Sequence, residues 1–261
     1  MLYFFKTHIK YLLFIVTFYS NTLYAIELES LSHAVDVAGK QRMFTQKILK
    51  DYTMIGIGNS FGNPSEDLNK TVESFENHLY ALHNYTENIE IQKHTAKIKK
   101  MWLSTKKRLG VAPTKEGVIL LQKELEKLLE ESNTVTQLFA KETGVASGEI
   151  INISGRQRML SQRMASLYML KVWGIDDNKF QEKMDSSMQL FQVSLFKLQQ
   201  SKLNTDKINR LLTKVENSFL FFKVMNKSKK RFIPALIYKK SDDILKNMNS
   251  VTHEYVVVSK K

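Results

Sequence analysis

Cysteine is absent from this chain of 261 residues. No disulfide framework and no thiolate metal site can be built, so any folded unit must be held by an apolar core. Histidine offers no substitute. His8, His33, His78, His83, His94 and His253 are scattered, and the closest useful pair, His78 and His83, diverges on a helix. Without convergent ligands, the sequence predicts no metal and no cofactor. Proline and glycine are also scarce, at three and ten residues. With so few breakers, and with apolar residues recurring at spacings of three and four, the expected fold is all-α.

The amino terminus stands apart from this pattern. Lys6 and Lys10 precede an apolar run from Tyr11 to Phe18, and Leu23-Tyr24-Ala25 ends in a small residue. Residues 1–25 read as a signal peptide. The short run, interrupted by Ser20-Asn21-Thr22, favours cleavage after Ala25 over a retained membrane anchor. Of the formal charge of +13, two units belong to Lys6 and Lys10, leaving +11 for the mature chain. Such a surplus suits an anionic ligand or an acidic surface, while export argues against nucleic acid as a partner. The densest basic run, Lys227-Ser228-Lys229-Lys230-Arg231, reads as a solvated connection or a lipid-headgroup contact.

What the sequence does contain is one pattern written twice. Val37-Ala38-Gly39-Lys40-Gln41-Arg42-Met43-Phe44-Thr45-Gln46-Lys47-Ile48-Leu49 returns as Ile153-Ser154-Gly155-Arg156-Gln157-Arg158-Met159-Leu160-Ser161-Gln162-Arg163-Met164-Ala165. The offset of 116 residues persists downstream, where Val72, Phe75, Leu79 and Leu82 align with Met188, Phe191, Leu195 and Leu198. The chain is a tandem duplication carrying two copies of one site. Beyond the leader, the expected division is 26–143 and 144–261, each of ordinary domain size.

Helices are expected at about 27–56, 66–90, 93–109 and 114–141, then at about 148–173, 178–201, 205–226 and 238–257. Gly56 to Pro64 and Gly110 to Pro113 are loops, Thr143 to Ser147 is the link, and Pro234 marks the break before the last helix. Four helices per repeat on short connections predict two tandem up-and-down four-helix bundles. On a helical wheel Val37, Phe44, Ile48 and Ile55 share the core face, while Arg42 lies about 200° from Phe44. Gly39, Thr45 and Gln46 share the arginine's side, as Gly155, Ser161 and Gln162 share that of Arg158. A solvated face is normally rich in Lys and Glu; this one reads as a second, polar contact surface. Gln41 and Gln157, at the core edge, are positioned to satisfy buried backbone, and the recurring Tyr52 and Tyr168 to pack.

The run from Gly155 to Met164 closely resembles the signature of the PilJ-type domain, the N-terminal sensory domain of type IV pilus chemotaxis transducers. Gly39 to Ile48 is a second copy in which Lys40 and Lys47 replace arginines. The same segment is similar to the periplasmic signature of nitrate/nitrite sensor histidine kinases. The resemblance implies a periplasmic sensory bundle for chemotaxis or related signal transduction, in which the arginine three residues after the motif glycine comes from each of two subunits and grips one small oxyanion. Here the matching residues are Arg42 and Arg158, with Gly39 and Gly155 one turn earlier, so both halves of a dimeric site stand in one chain. Gln46 and Gln162 would fix the ligand's orientation.

Elementary electrostatics describes the same pair. Two guanidiniums about 5 Å apart repel by roughly 3 kcal/mol at an effective dielectric near 20. An oxyanion between them accepts charge-assisted hydrogen bonds of about 1.5 to 3 kcal/mol each. The expected ligand is a small inorganic anion, nitrate or nitrite, and the expected partner a separate membrane receptor or sensor kinase. The alternative is a structural or assembly protein of the cell envelope, a docking module with no small-molecule ligand. No nucleophile–base pair or carboxylate dyad recurs between the copies, so no catalytic residues and no enzyme are expected.

Overall fold

Ser30 begins the first helix: its hydroxyl accepts the His33 N–H at 3.2 Å and satisfies one of the open donors of the first turn. Helix α1 (Leu31–Ile57) ends at Gly58, whose left-handed φ of 77° lets its N–H fold back on the Ile55 and Met54 carbonyls. Among the described residues seven further helices follow: α2 (Pro64–Tyr85), α3 (Ile89–Leu109), α4 (Lys115–Glu142), α5 (Val145–Val172), α6 (Asn178–Gln199), α7 (Asp206–Lys227) and α8 (Pro234–Val258). This computed structural model describes residues 26–175, 177–227 and 232–259. The leader read over 1–25 and most of the basic run, residues 228–231, lie outside it. Among the described residues there is no strand, and no helix is long and apolar enough to cross a membrane.

Several helix boundaries differ from the sequence expectation, and the following do so for a local reason. Pro64 and Pro234 stand at the first turn of α2 and α8, where the missing N–H costs nothing, so α8 begins at the proline expected to precede it. The α2–α3 break falls at Thr86–Asn88, earlier than expected, because the Asn88 side chain caps the Glu90 and Ile91 N–H groups at 3.0 and 3.3 Å. The link between repeats shrinks to Thr143–Gly144, where Gly144 takes a φ of 87° that side chains rarely adopt.

Helices α1 to α4 pack as one up-and-down bundle and α5 to α8 as another, and α1 lies along α5. The expected all-helical double bundle is the observed fold. Equivalent aromatic pairs fill the two cores: Phe75 against Trp102 with centroids 4.3 Å apart, and Phe191 against Phe219 at 4.4 Å. Gln41 donates to the Phe75 carbonyl at 2.8 Å, and Gln157 to the Phe191 carbonyl at 2.9 Å, which is the backbone role read for them. The repeated tyrosines also act alike. Buried Tyr52 donates to the Val111 carbonyl at 3.1 Å, and buried Tyr168 accepts the Ile233 N–H at 2.8 Å, each tying down the loop before its bundle's fourth helix.

The seam between bundles is built on close approach. A Cβ added to Gly39 would lie 3.9 Å from the Gly155 Cα, and one added to Gly56 would meet the Trp173 ring at 2.2 Å. Both contacts join corresponding stretches, so α1 and α5 run side by side in the same direction. Covered by α2, α4, α5 and α8, α1 buries polar as well as apolar faces.

Candidate functional site

The motif arginines lie inside this seam. Arg42 and Arg158 are both 0% exposed, the largest fully buried side chains among the described residues. The wheel placed them off the bundle core, and they are buried there because α5 covers the polar face of α1, and α1 that of α5. A Cβ on either Gly39 or Gly155 would come within 3.1 Å of Arg158 Nη2 and 3.4 Å of Arg42 Nη2. The two glycines therefore leave the room the guanidiniums fill. Glycine inside a helix costs about 1 kcal/mol relative to alanine, and the same cost at the matching position of both copies has one steric explanation.

Each guanidinium is held from both repeats by a matched pair of acceptors. Arg42 Nη1 donates to Asn133 Oδ1 of α4 at 2.9 Å, and Nη2 to the Asn152 carbonyl of α5 at 3.3 Å. Arg158 Nη1 donates to Asn249 Oδ1 of α8 at 3.2 Å, and Nη2 to the Asp36 carbonyl of α1 at 3.1 Å. Asn133 matches Asn249, and Asp36 matches Asn152, at the repeat offset. Sequence reading missed all four. The signal was present: extending the 116-residue register to polar positions outside the motif brings out both pairs.

The symmetry fails at one place. Asp36 Oδ1 lies 2.6 Å from Arg158 Nη1 as an ion pair, whereas the matching Asn152 side chain carries no charge; both Oδ1 atoms are buried outside hydrogen-bond geometry. Burial works to raise the Asp36 carboxyl, but the charges of Arg158 and Lys40 more than offset it and hold it at about 2. Arg42 has no such help. Burial, then the charges of Arg156 and Arg158, push its guanidinium down to about 9, and among the described residues no carboxylate pairs with it. The Asp36 carboxylate thus offsets one of the two guanidinium charges from within, with one buried positive charge left over. The Nε atoms of both arginines are buried and without partners.

The remaining motif positions sit one turn further along. Thr45 and Ser161 donate to the Arg42 and Arg158 carbonyls of their own helices, both at 2.8 Å. Gln46 and Gln162 are buried and donate to those hydroxyls at 3.4 Å, and Gln162 also to the Ser241 carbonyl at 3.0 Å. Lys47 and Arg163 turn elsewhere, Lys47 to Asp51 and Asp67, both at 3.0 Å, and Arg163 to Glu126 at 2.8 Å.

A tandem helical bundle that closes on itself around a repeated arginine pair is the class this architecture defines. The sequence matches the PilJ family model, described as the type IV pili methyl-accepting chemotaxis transducer N-terminal domain, over residues 26–130 and 141–219, one segment in each repeat. The chain belongs to that family. No curated protein and no solved structure matches it.

Proposed function

We propose that this chain is a periplasmic sensory protein that binds one small oxyanion, nitrate or nitrite, between its two repeats and signals its bound state to a separate membrane receptor or sensor kinase. The observation that carries the reading is Arg42: a guanidinium 0% exposed, with no carboxylate paired with it among the described residues and its Nε unpartnered. An uncompensated buried charge costs several kcal/mol. An anion at the seam offsets that cost through charge-assisted hydrogen bonds with groups contributed by both bundles. Family membership supports the sensory role, and the ligand-binding residues are Arg42 and Arg158, with Gly39 and Gly155 making the room and Gln46 and Gln162 lying one turn away.

Thermal unfolding of the mature protein tests this directly. At constant ionic strength nitrate or nitrite raises the midpoint, because a ligand bound only by the folded state stabilises it by mass action. Equal stabilisation by chloride at equal concentration defeats the specific site.

The second reading, a structural docking module of the cell envelope, is favoured by a different observation. Large apolar side chains are exposed at related places on the far edges of the two bundles: Tyr80 at 59% and Phe196 at 64%, Leu103 at 61% and Leu220 at 49%. Anion-independent capture of an envelope component through these residues would select it.

A further inference from the structure

We infer that the seam selects a singly charged anion, and that Asp36 is the residue that sets this charge. The inference rests on the oxyanion reading of the site and narrows it.

The two repeats provide an internal comparison. The same position holds Asp36 in the first and Asn152 in the second, and each gives its backbone carbonyl to the arginine of the other repeat, at 3.1 and 3.3 Å. The asparagines that hold the other end of each guanidinium are equivalent too, at 3.2 and 2.9 Å. Only the side-chain charge differs. The Asp36 carboxylate, 2.6 Å from Arg158 Nη1, is already in place as a fixed counter-anion, while the matching Asn152 gives Arg42 only its backbone carbonyl and no charge.

The buried groups therefore sum to one positive charge: two guanidiniums and one carboxylate. Lys40, 27% exposed in its side chain and 3.0 Å from Asp36 Oδ2, and the half-buried Arg156 add to the field from the rim, where water screens them. In a site closed to water, binding is favoured when the ligand brings the local charge to zero. A monoanion such as nitrate does this. A dianion such as sulfate leaves one buried negative charge and faces the Asp36 carboxylate across the seam. Asparagine at both positions would give a site of charge +2, matched to a dianion. Aspartate at both would give a site of no net charge, needing no ligand.

Calorimetric titration of the full mature chain with nitrate and with sulfate, at pH 7 and constant ionic strength, tests the inference. The wild type binds nitrate at least tenfold more tightly than sulfate. Asp36→Asn narrows or inverts that ratio by at least tenfold. Asn152→Asp places a carboxylate opposite Arg42, so nitrate affinity falls at least tenfold while the anion-free protein unfolds at a higher temperature; this variant carries the test if Asp36→Asn does not fold. A nitrate-to-sulfate ratio unchanged in Asp36→Asn, or nitrate binding unchanged in Asn152→Asp, overturns the role of Asp36 and leaves the oxyanion site standing. A wild type that binds neither anion overturns the oxyanion reading, and this inference with it.

Discussion

Asp36 and Asn152 occupy one position of the duplicated helix, yet only Asp36 forms an ion pair, 2.6 Å from the arginine of the opposite repeat. A homodimer of identical halves could not show this difference. Within one chain the two copies are free to diverge, and one difference between them places a carboxylate in only one half of the seam.

The glycines at the crossing give a steric prediction. In Gly39→Ala the new methyl would lie 3.1 Å from Arg158 Nη2 and 3.4 Å from Arg42 Nη2. Displacing the guanidiniums offsets the gain of about 1 kcal/mol that alanine brings to a helix interior. Nitrate affinity by calorimetry should fall at least tenfold. A variant stabilised by the full propensity gain, with unchanged affinity, would mean that the arginines have room to spare.

Acid unfolding should show two separable limbs. Burial first, then the charge of Lys40, lower the His78 imidazole to about 4. Its folded-state value is depressed from about 6.5, so its contribution is present above pH 6.5 and is lost as pH falls toward 4. The Asp36 carboxyl, held at about 2, contributes stability above about pH 4 that is lost as pH falls toward 2. By linkage the two are worth on the order of 3 and 2 kcal/mol. Stability curves of His78→Gln and Asp36→Asn against pH should each lose one limb. A His78→Gln curve parallel to wild type between pH 6.5 and 4 would refute the buried neutral imidazole.

Two position-matched carboxylates should differ in their effect on stability. Asp242 lies 2.6 Å from Lys50, which is fully buried, 3.8 Å from Asp51 Oδ1 and 3.8 Å from the Tyr238 ring centroid. Its counterpart Glu126 pairs with Arg163, whose side chain is 16% exposed. Asp242→Ala leaves a buried ammonium with Asp51, at 3.8 Å, as its one remaining carboxylate among the described residues, and should cost about 3 kcal/mol, against about 1 kcal/mol or less for Glu126→Ala. Denaturant titration of both variants checks the order; equal losses would contradict it.

Much of this site was legible before the fold. The repeat register, the arginines' place off the core face and the closeness of the glycines follow from spacing on a helix, because α1 and α5 are long and uninterrupted. The partners did not follow. Asn133 stands 91 residues from Arg42, and Asp36 stands 122 residues from Arg158; periodicity along one helix carries no information about which residue of another helix will face it. Lys50 was hidden for the same reason, since its burial depends on α8 of the other repeat. Helix ends shifted where one residue serves two purposes: Pro234 can stop a helix or start one, and the side chain of Asn88 decides where α3 begins.

Signalling should appear as movement between the bundles. With no native cysteine, spin labels can be placed selectively at Ala96→Cys and Asn217→Cys, on exposed positions of α3 and α7. Nitrate bound at the proposed site would neutralise the seam and should shift the inter-label distance distribution. An unchanged distribution would favour the docking-module reading.

The most direct test of the shared site is the stoichiometry of nitrate binding by isothermal titration calorimetry of the wild type, Arg42→Ala, Arg158→Ala and the double variant. The account predicts one nitrate per chain, lost almost equally in either single variant, with the double adding little beyond either one. Two nitrates per chain, each abolished separately by one substitution, would contradict it.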